Sequence, residues 1–297
     1  MDATKNTQYR WAIFFAILAA VLYAFSMPLS KILLKDASPM MMAAFLYLGA
    51  GAGMLMLSMI RSKTGVAGKE QRLEKKDLPY TIAMVVLDIA APIFLMFGLK
   101  TTAAANASLL NNFEIVATAI IALLLFHEKI SKRLWLAIIL VTVACILLTV
   151  EDTSSLSFSA GSFLVLSACL CWGLENNCTR CISNKDPMEI VTIKGFGSGL
   201  GALCIALCTK ETFPLWKYIP MIMLLGFIAY GMSIFFYTYA QRTIGAAKTS
   251  TYYAIAPFIG MILSFIILGE RITFTFIFAL SIMIAGAYFA TFDNKQE

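Results

Sequence analysis

The sequence predicts an all-α membrane protein: ten transmembrane helices arranged as two inverted five-helix repeats, spanning 1–150 and 151–297. Three observations lead there. Of the 297 residues, 60% are hydrophobic and 13% are charged, with a mean hydropathy of +0.81; a soluble domain carries about 25% charged residues. Ten apolar runs approach the ~20 residues that cross the hydrocarbon core as a helix. The layout of the first five runs also recurs in the last five. A single soluble core is excluded, because too few polar residues exist to cover it. Barrel architecture is excluded too, since no run alternates as a transmembrane strand does.

In chain order the runs are roughly 11–34, 40–60, 79–99, 103–126, 133–150, 159–181, 188–208, 217–240, 246–268 and 273–291. The polar start Met1 to Arg10 leads into Trp11–Leu34, which is longer than a signal-peptide core and lacks a clear small-residue cleavage site. It reads as a retained first span. Pro39, Pro79 and Pro187 stand at or near helix starts, where the missing N–H is harmless. Pro28, Pro92 and Pro257 fall inside runs and are expected to kink them. Short connections make consecutive helices antiparallel neighbours.

The net charge is +6, yet the basic residues sit in connections between apolar runs rather than on one folded face, so no nucleic acid partner is expected. With the N-terminus inside, fifteen Lys and Arg residues lie on cytoplasmic segments and six outside. That asymmetry puts both termini in the cytoplasm. The longest connection, 61–78, reads as a basic topology anchor. Seven cysteines lie mainly within apolar runs and do not form a disulfide framework. Cys178-Thr-Arg-Cys181 is a CxxC without further ligands, so buried small residues are the better account and no metal or cofactor is expected.

The repeat is the strongest organisational signal. A shift of 142 sets Leu99-Lys100-Thr101 on Gln241-Arg242-Thr243, Ala104-Ala105 on Ala246-Ala247, Ser108 on Ser250, and Glu128-Lys129-Ile130 on Glu270-Arg271-Ile272. A shift of 148 sets Pro39-Met40 on Pro187-Met188 and Gly49, Gly51 and Gly53 on Gly197, Gly199 and Gly201. A shift of 149 sets Tyr23-Ala24 on Trp172-Gly173 and Lys31 on Arg180. Five being odd, the second half enters the membrane upside down, a build in which substrates bind near the midplane between halves.

The five-plus-five layout, the aromatic-small pair followed by a basic residue in spans one and six, and the Glu-Lys/Arg ends after spans four and nine resemble the drug/metabolite transporter superfamily, and within it the EamA type. The resemblance covers essentially the whole chain; Tyr23-Ala24 departs from the usual Trp-Gly, whereas Trp172-Gly173 conforms. It implies a carrier exporting small metabolites, with spans one to four and six to nine around a cavity and spans five and ten peripheral.

Four ionisable residues fall within runs: Asp88, Glu114, Glu175 and Lys194. Each costs roughly 2.5–3.5 kcal/mol at bilayer depth, so such residues pair, hydrate or neutralise, and mark function by default. Asp88 lies about 13 Å into span three. Glu175 and Lys194 lie about 10 Å either side of one cytoplasmic connection, and equal depth makes them an expected ion pair, either structural or a gate. Asn111, Glu114 and Thr118 form an i, i+3, i+7 polar stripe, with Asn112 beside it. In the other half the equivalents of Glu114 and Asp88 are Ala256 and Tyr230, so the halves differ where a site would be.

Trp172, Tyr230 and Tyr253 are expected to wall a pocket with hydroxyl donors, and Asn176 adds polarity on span six. The glycine runs read as close-packing surfaces. The expected substrate-binding set is therefore Asp88, Asn111, Asn112, Glu114, Trp172, Glu175, Asn176, Lys194, Tyr230 and Tyr253. Three acids against one base point to a cationic or zwitterionic small molecule, such as an amino acid, or to protons. Efflux of lipophilic organic cations is the alternative, with a channel or an intramembrane enzyme behind it; neither HExxH nor GxSxG occurs. The expected partners are that small molecule and the lipid bilayer of the plasma membrane, with a homodimer left open.

Overall fold

The computed structural model describes residues 3–63, 71–127, 130–152, 157–182, 184–244, 249 and 252–292. Helix α1 (Ala3–Ala24) continues into α2 (Ser26–Leu33) across Phe25. Pro28 has no N–H for the Ala24 carbonyl, which accounts for the bend. Then come α3 (Pro39–Lys63), a 3-10 turn at Lys75–Asp77, and α4 (Leu78–Thr101) with Pro92 inside it. Helices α5 (Ala104–Leu110) and α6 (Phe113–Phe126) make one further traverse, interrupted at Asn111–Asn112.

Helix α7 (Lys132–Thr149) runs into a small antiparallel pair, β1 (Val150–Asp152) and β2 (Ser157–Phe158). Helices α8 (Ala160–Cys181) and α9 (Pro187–Cys208) follow. Helix α10 (Tyr218–Gly226) passes through a π-helical turn, Phe227–Met232, into α11 (Ser233–Ile244). Helices α12 (Ala256–Leu268) and α13 (Phe274–Phe292) close the chain.

The expectation of ten membrane spans is corrected here. Among the described residues, seven helices are long and apolar enough to cross a bilayer: Gln8–Leu33, Pro39–Arg61, Lys75–Thr101, Ala104–Leu125, Lys132–Thr149, Pro187–Cys208 and Tyr218–Ala240. The runs 159–181, 246–268 and 273–291 fall outside that set. Helix α8 is 22 residues long, but Glu175, Asn176, Asn177, Thr179 and Arg180 make its second half polar. Helix α12 has 13 residues, about 20 Å of rise against a ~30 Å core. The apolar stretch of α13, Phe274–Ala290, is likewise a shorter helix.

Large apolar side chains cover the outside: Leu124, Ile266, Phe274 and Phe278 are all exposed. A belt of this kind has no place against water and suits lipid. The protein is an integral membrane protein. Inside, α3 packs along α9, α4 along α8, α1 along α11 and α13 along α7. The α3–α9 contact is backbone against backbone. A Cβ on Gly195 would stand 2.4 Å from the Gly51 nitrogen, so only glycine lets these helices approach so closely.

At one end of the molecule the segment before α4 clasps the α8–α9 connection. Lys185 Nζ lies 2.8 Å from Glu74 Oε1 and 3.3 Å from Asp77 Oδ2. The Leu73 N–H donates to Glu189 Oε2 at 3.1 Å, and the Asp186 N–H to the Gln71 carbonyl at 2.9 Å. The described part of the 61–78 connection is thus a tether between the chain's two halves.

Candidate functional site

Helix α4 carries Asp88 to the α4–α8–α9 junction, where it has no solvent exposure. Its Oδ1 accepts from Trp172 Nε1 at 3.1 Å and from the Tyr47 hydroxyl at 3.3 Å. Its Oδ2 lies 3.0 Å from Lys194 Nζ. The same ammonium stands 3.1 Å from Glu175 Oε1, which also accepts from the Thr179 hydroxyl. Lys194 is thus shared by two buried carboxylates from two helices. Isolated in a low-dielectric interior any of these charges is costly; together, with their hydrogen bonds, they satisfy one another.

The second acidic centre is Glu114 in the first turn of α6. Its Oε1 accepts from Asn176 Nδ2 at 2.7 Å, and Asn176 also reaches Thr118 Oγ1 at 3.3 Å. Among the described residues Glu114 has no ion-pair partner. Asn177, next along α8, donates to the Thr118 and Gly173 carbonyls at 3.1 and 2.8 Å. Gly173 makes this contact between helices possible, because a Cβ there would stand 2.6 Å from Ala117 Cβ.

Between Asn111 and Glu114 the backbone of the expected stripe tightens. The Asn112 N–H turns back to Leu109 and the Glu114 N–H to Asn111, both three residues away at 3.1 Å, as in a 3-10 turn. Asn111 Nδ2 donates to the Tyr23 hydroxyl at 3.1 Å, whereas Glu114 takes Asn176. Asn112 turns inward as well, its Nδ2 on the Leu109 carbonyl at 3.1 Å, and its buried Oδ1 has no hydrogen-bond partner among the described residues.

Tyrosine rings join these parts. Tyr23 meets Tyr230 at 5.8 Å and Tyr253 at 5.9 Å between centroids, and Tyr47 meets Tyr230 at 5.5 Å. Tyr230 sits in the π-helical turn and is buried. The Tyr253 hydroxyl lies 3.3 Å from Ser233 Oγ. A narrow cleft opens beside Tyr23 and Asn111, also lined by Ser26, Ser108, Pro257 and Gly260. A roomier one lies by Met54, Arg61, Met188 and Phe235 and is lined by none of the buried acids.

Comparison with known proteins decides what kind of molecule this is. A model of the EamA-like transporter family matches residues 10–150 and again residues 159–292.

The chain belongs to the EamA-like transporter family.

A protein of Methanothermobacter thermautotrophicus described as an uncharacterized transporter is 25% identical, over 96% of this chain and 87% of its own length. The uncharacterized transporter YyaM of Bacillus subtilis is 24% identical over 77% of this chain and 76% of its own. A solved crystal structure superposes with a TM-score of 0.68 at 16% identity, over 96% of this chain and 97% of the other, and shows the same fold. Membership of the EamA-like family makes this a membrane transport protein and points away from an enzyme, in agreement with the drug/metabolite transporter resemblance read from the sequence.

Within this EamA-like chain, Asp88, Trp172, Glu175 and Lys194 form one network, and Glu114 with Asn176 forms another on the same face of α8. Asn111, Tyr230 and Tyr253 gather around Tyr23 instead. Trp172 donates to the Asp88 oxygen that Tyr47 also reaches. Tyr47 was not among the expected site residues; its one signal was a polar tip in the first half of the largely apolar run 40–60. The Glu128-Lys129 end, Ala246-Ala247 and Ser250, all used in aligning the repeat, lie outside the described residues.

Proposed function

We propose that this transporter is a secondary carrier that moves a small polar metabolite bearing an ammonium group, such as an amino acid, out of the cell by alternating access between its halves, 1–150 and 151–297. The observation that carries this reading is the charge balance of the interior. Asp88 and Glu175 share Lys194, while Glu114 accepts from Asn176 and has no ion pair among the described residues. A carboxylate at membrane depth without a cation is a place for a substrate ammonium or a proton. Asp88, Glu175 and Lys194 form the structural and electrostatic floor beside it. Proton coupling, if present, runs through Glu114. The excess of basic residues on connections such as 71–76 supports an orientation with both termini in the cytoplasm, and export from the cell calls for the plasma membrane.

Efflux of lipophilic organic cations is the second reading, favoured by the grouping of Tyr23, Tyr47, Tyr230 and Tyr253, whose ring faces attract cations. Counterflow in reconstituted vesicles separates the two. Saturable exchange of labelled amino acids supports the first reading, and saturable exchange of a tetraalkylammonium or triphenylphosphonium cation supports the second. An unsaturable conductance, or chemical change of the solute, sinks both. A thermal-shift screen narrows the substrate beforehand, because any ligand of the folded state raises its apparent stability.

A further inference from the structure

Residues shared by the repeat, but outside the acid networks, meet where α2, α4 and α12 end. Lys31, in the last turn of α2, directs its ammonium to the Leu99 carbonyl, to the Thr102 carbonyl at 2.6 Å and to that of Lys100 at 3.3 Å. Glu270 follows Gly269, the left-handed cap of α12. Its two oxygens accept the Ala104 and Ala105 N–H groups at 2.7 and 2.8 Å. The Thr102–Ala103 connection is therefore gripped twice: a cation holds the C-terminus of α4 and an anion the N-terminus of α5. Each charge matches its helix end and serves backbone groups that have no partner within the helix.

Beneath this grip lies the narrow cleft between Tyr23, Ser26, Ser108, Asn111, Pro257 and Gly260. Ser26 precedes Lys31 by five residues and Ser108 follows Ala104 by four, roughly 6–8 Å along their helices. On its far side Asn111 stands three residues before Glu114. Ser108 Oγ is buried beside it and has no hydrogen-bond partner among the described residues, while the Ser26 hydroxyl faces that of Tyr230. A contact made only for packing has no use for an idle hydroxyl, which is costly to bury.

We propose that Lys31 and Glu270 form a gate that shuts this cleft at its end, and that the cleft is the section of the substrate path between the gate and Glu114. The proposal rests on the transport reading above. Its bonds suit opening: all run from a charged side chain to terminal backbone groups, which water serves once α12 and α2 draw away from α4 and α5. The bonds are exchanged rather than lost. The Asp88–Lys194 contact, by comparison, is buried and has no such substitute.

The test is sided labelling. Ser108→Cys is placed in a background where Cys171, Cys178, Cys181, Cys204 and Cys208, the cysteines that are not buried, are alanine. A membrane-impermeant cationic methanethiosulfonate is applied to membrane vesicles of each orientation. With the gate intact, labelling from the gate side is slow. K31M and E270Q should each speed it about tenfold from that side alone, and K31R should keep it slow. Unchanged rates in both variants, or an equal rise from both faces, would overturn the gate. Should E270Q fail to fold, K31M against K31R carries the same readout. Labelling needs no transported solute, so a failed gate appears in these rates and a failed transport reading appears in the counterflow assay.

Discussion

Lys194 Nζ lies 3.0 Å from Asp88 Oδ2, joining α9 to α4 by a pair whose acid side chain has no solvent exposure and whose base is 16% exposed. Because Glu175 stands 3.1 Å from the same ammonium, removing Lys194 abandons two carboxylates at once. Lys194→Met is expected to destabilise the folded protein by ~3–5 kcal/mol. Asp88→Asn/Lys194→Met should recover part of that loss, whereas exchanging the charges of Glu175 and Lys194 should not restore transport, because a carboxylate at 194 would face Asp88. Denaturation in detergent checks the first two, and counterflow the third. Full transport in single neutral variants would remove both the structural and the gating role.

Glu114→Gln keeps an acceptor for Asn176 Nδ2, now 2.7 Å from Oε1, while removing the titratable group. Transport by this variant should lose any dependence on a proton gradient with little change in melting temperature. A gradient response equal to wild type excludes Glu114 as the proton carrier.

Trp172→Phe deletes the indole donor to Asp88 Oδ1, leaving that oxygen to Tyr47 alone. A hydrogen bond to a charged group contributes about 1.5–3 kcal/mol, so a loss of that order should appear in unfolding. Tyr47→Phe should cost less, its contact being longer at 3.3 Å.

The clasp at Lys185 gives a pH prediction. Hydrogen bonds from Lys185, then from Lys76, hold the Glu74 carboxyl down at about 2. A depressed carboxylate stabilises the folded state above its unfolded pKa, roughly 4.3. That share is lost as pH falls from there towards 2. The melting temperature of the wild type should therefore drop more steeply below pH 4.5 than that of Glu74→Gln, and the two curves should converge in acid. Parallel curves would remove the clasp from the pH response.

Gly195→Ala would place a methyl 2.4 Å from the Gly51 nitrogen. Backbone cannot yield as a side-chain tip can, so α3 and α9 must separate. Overpacking of this kind costs about 1–3 kcal/mol, readable as a lower melting temperature. Gly269→Ala meets no neighbouring atom, but its φ of +63° makes the expected cost one of backbone strain, about 1–2 kcal/mol.

Depth was legible in the sequence; azimuth was not. Glu175 and Lys194 were predicted to be neighbours because they lie equally far from one short connection, and α8 and α9 bring them to 3.1 Å. Nothing in the spacing said that Asp88, on a helix outside that hairpin, would meet the same ammonium. That depends on α4 lying along α8 and on how each helix is rotated. The Asn111–Glu114 stripe shows the same limit. Spacing put the two residues on one face, where a 3-10 turn also keeps residues three apart, but it did not say that Asn111 would bond to Tyr23 and Glu114 to Asn176. The ten-span count failed because length alone was weighed in 159–181, whereas Glu175, Asn176, Asn177, Thr179 and Arg180 make the second half of that helix polar.

By itself the sequence determined the solvent. With 60% hydrophobic and 13% charged residues the chain can only bury its helices in a bilayer, and the four charges left inside had to find partners or water. Which partners they found was decided by the tertiary structure. Helix faces choose neighbours through packing, and glycines such as Gly51, Gly173 and Gly195 set how close those neighbours come. Only then do Asp88, Glu175 and Lys194 become one network, Glu114 a carboxylate held by Asn176, and Lys31 and Glu270 two hands on a single turn of backbone.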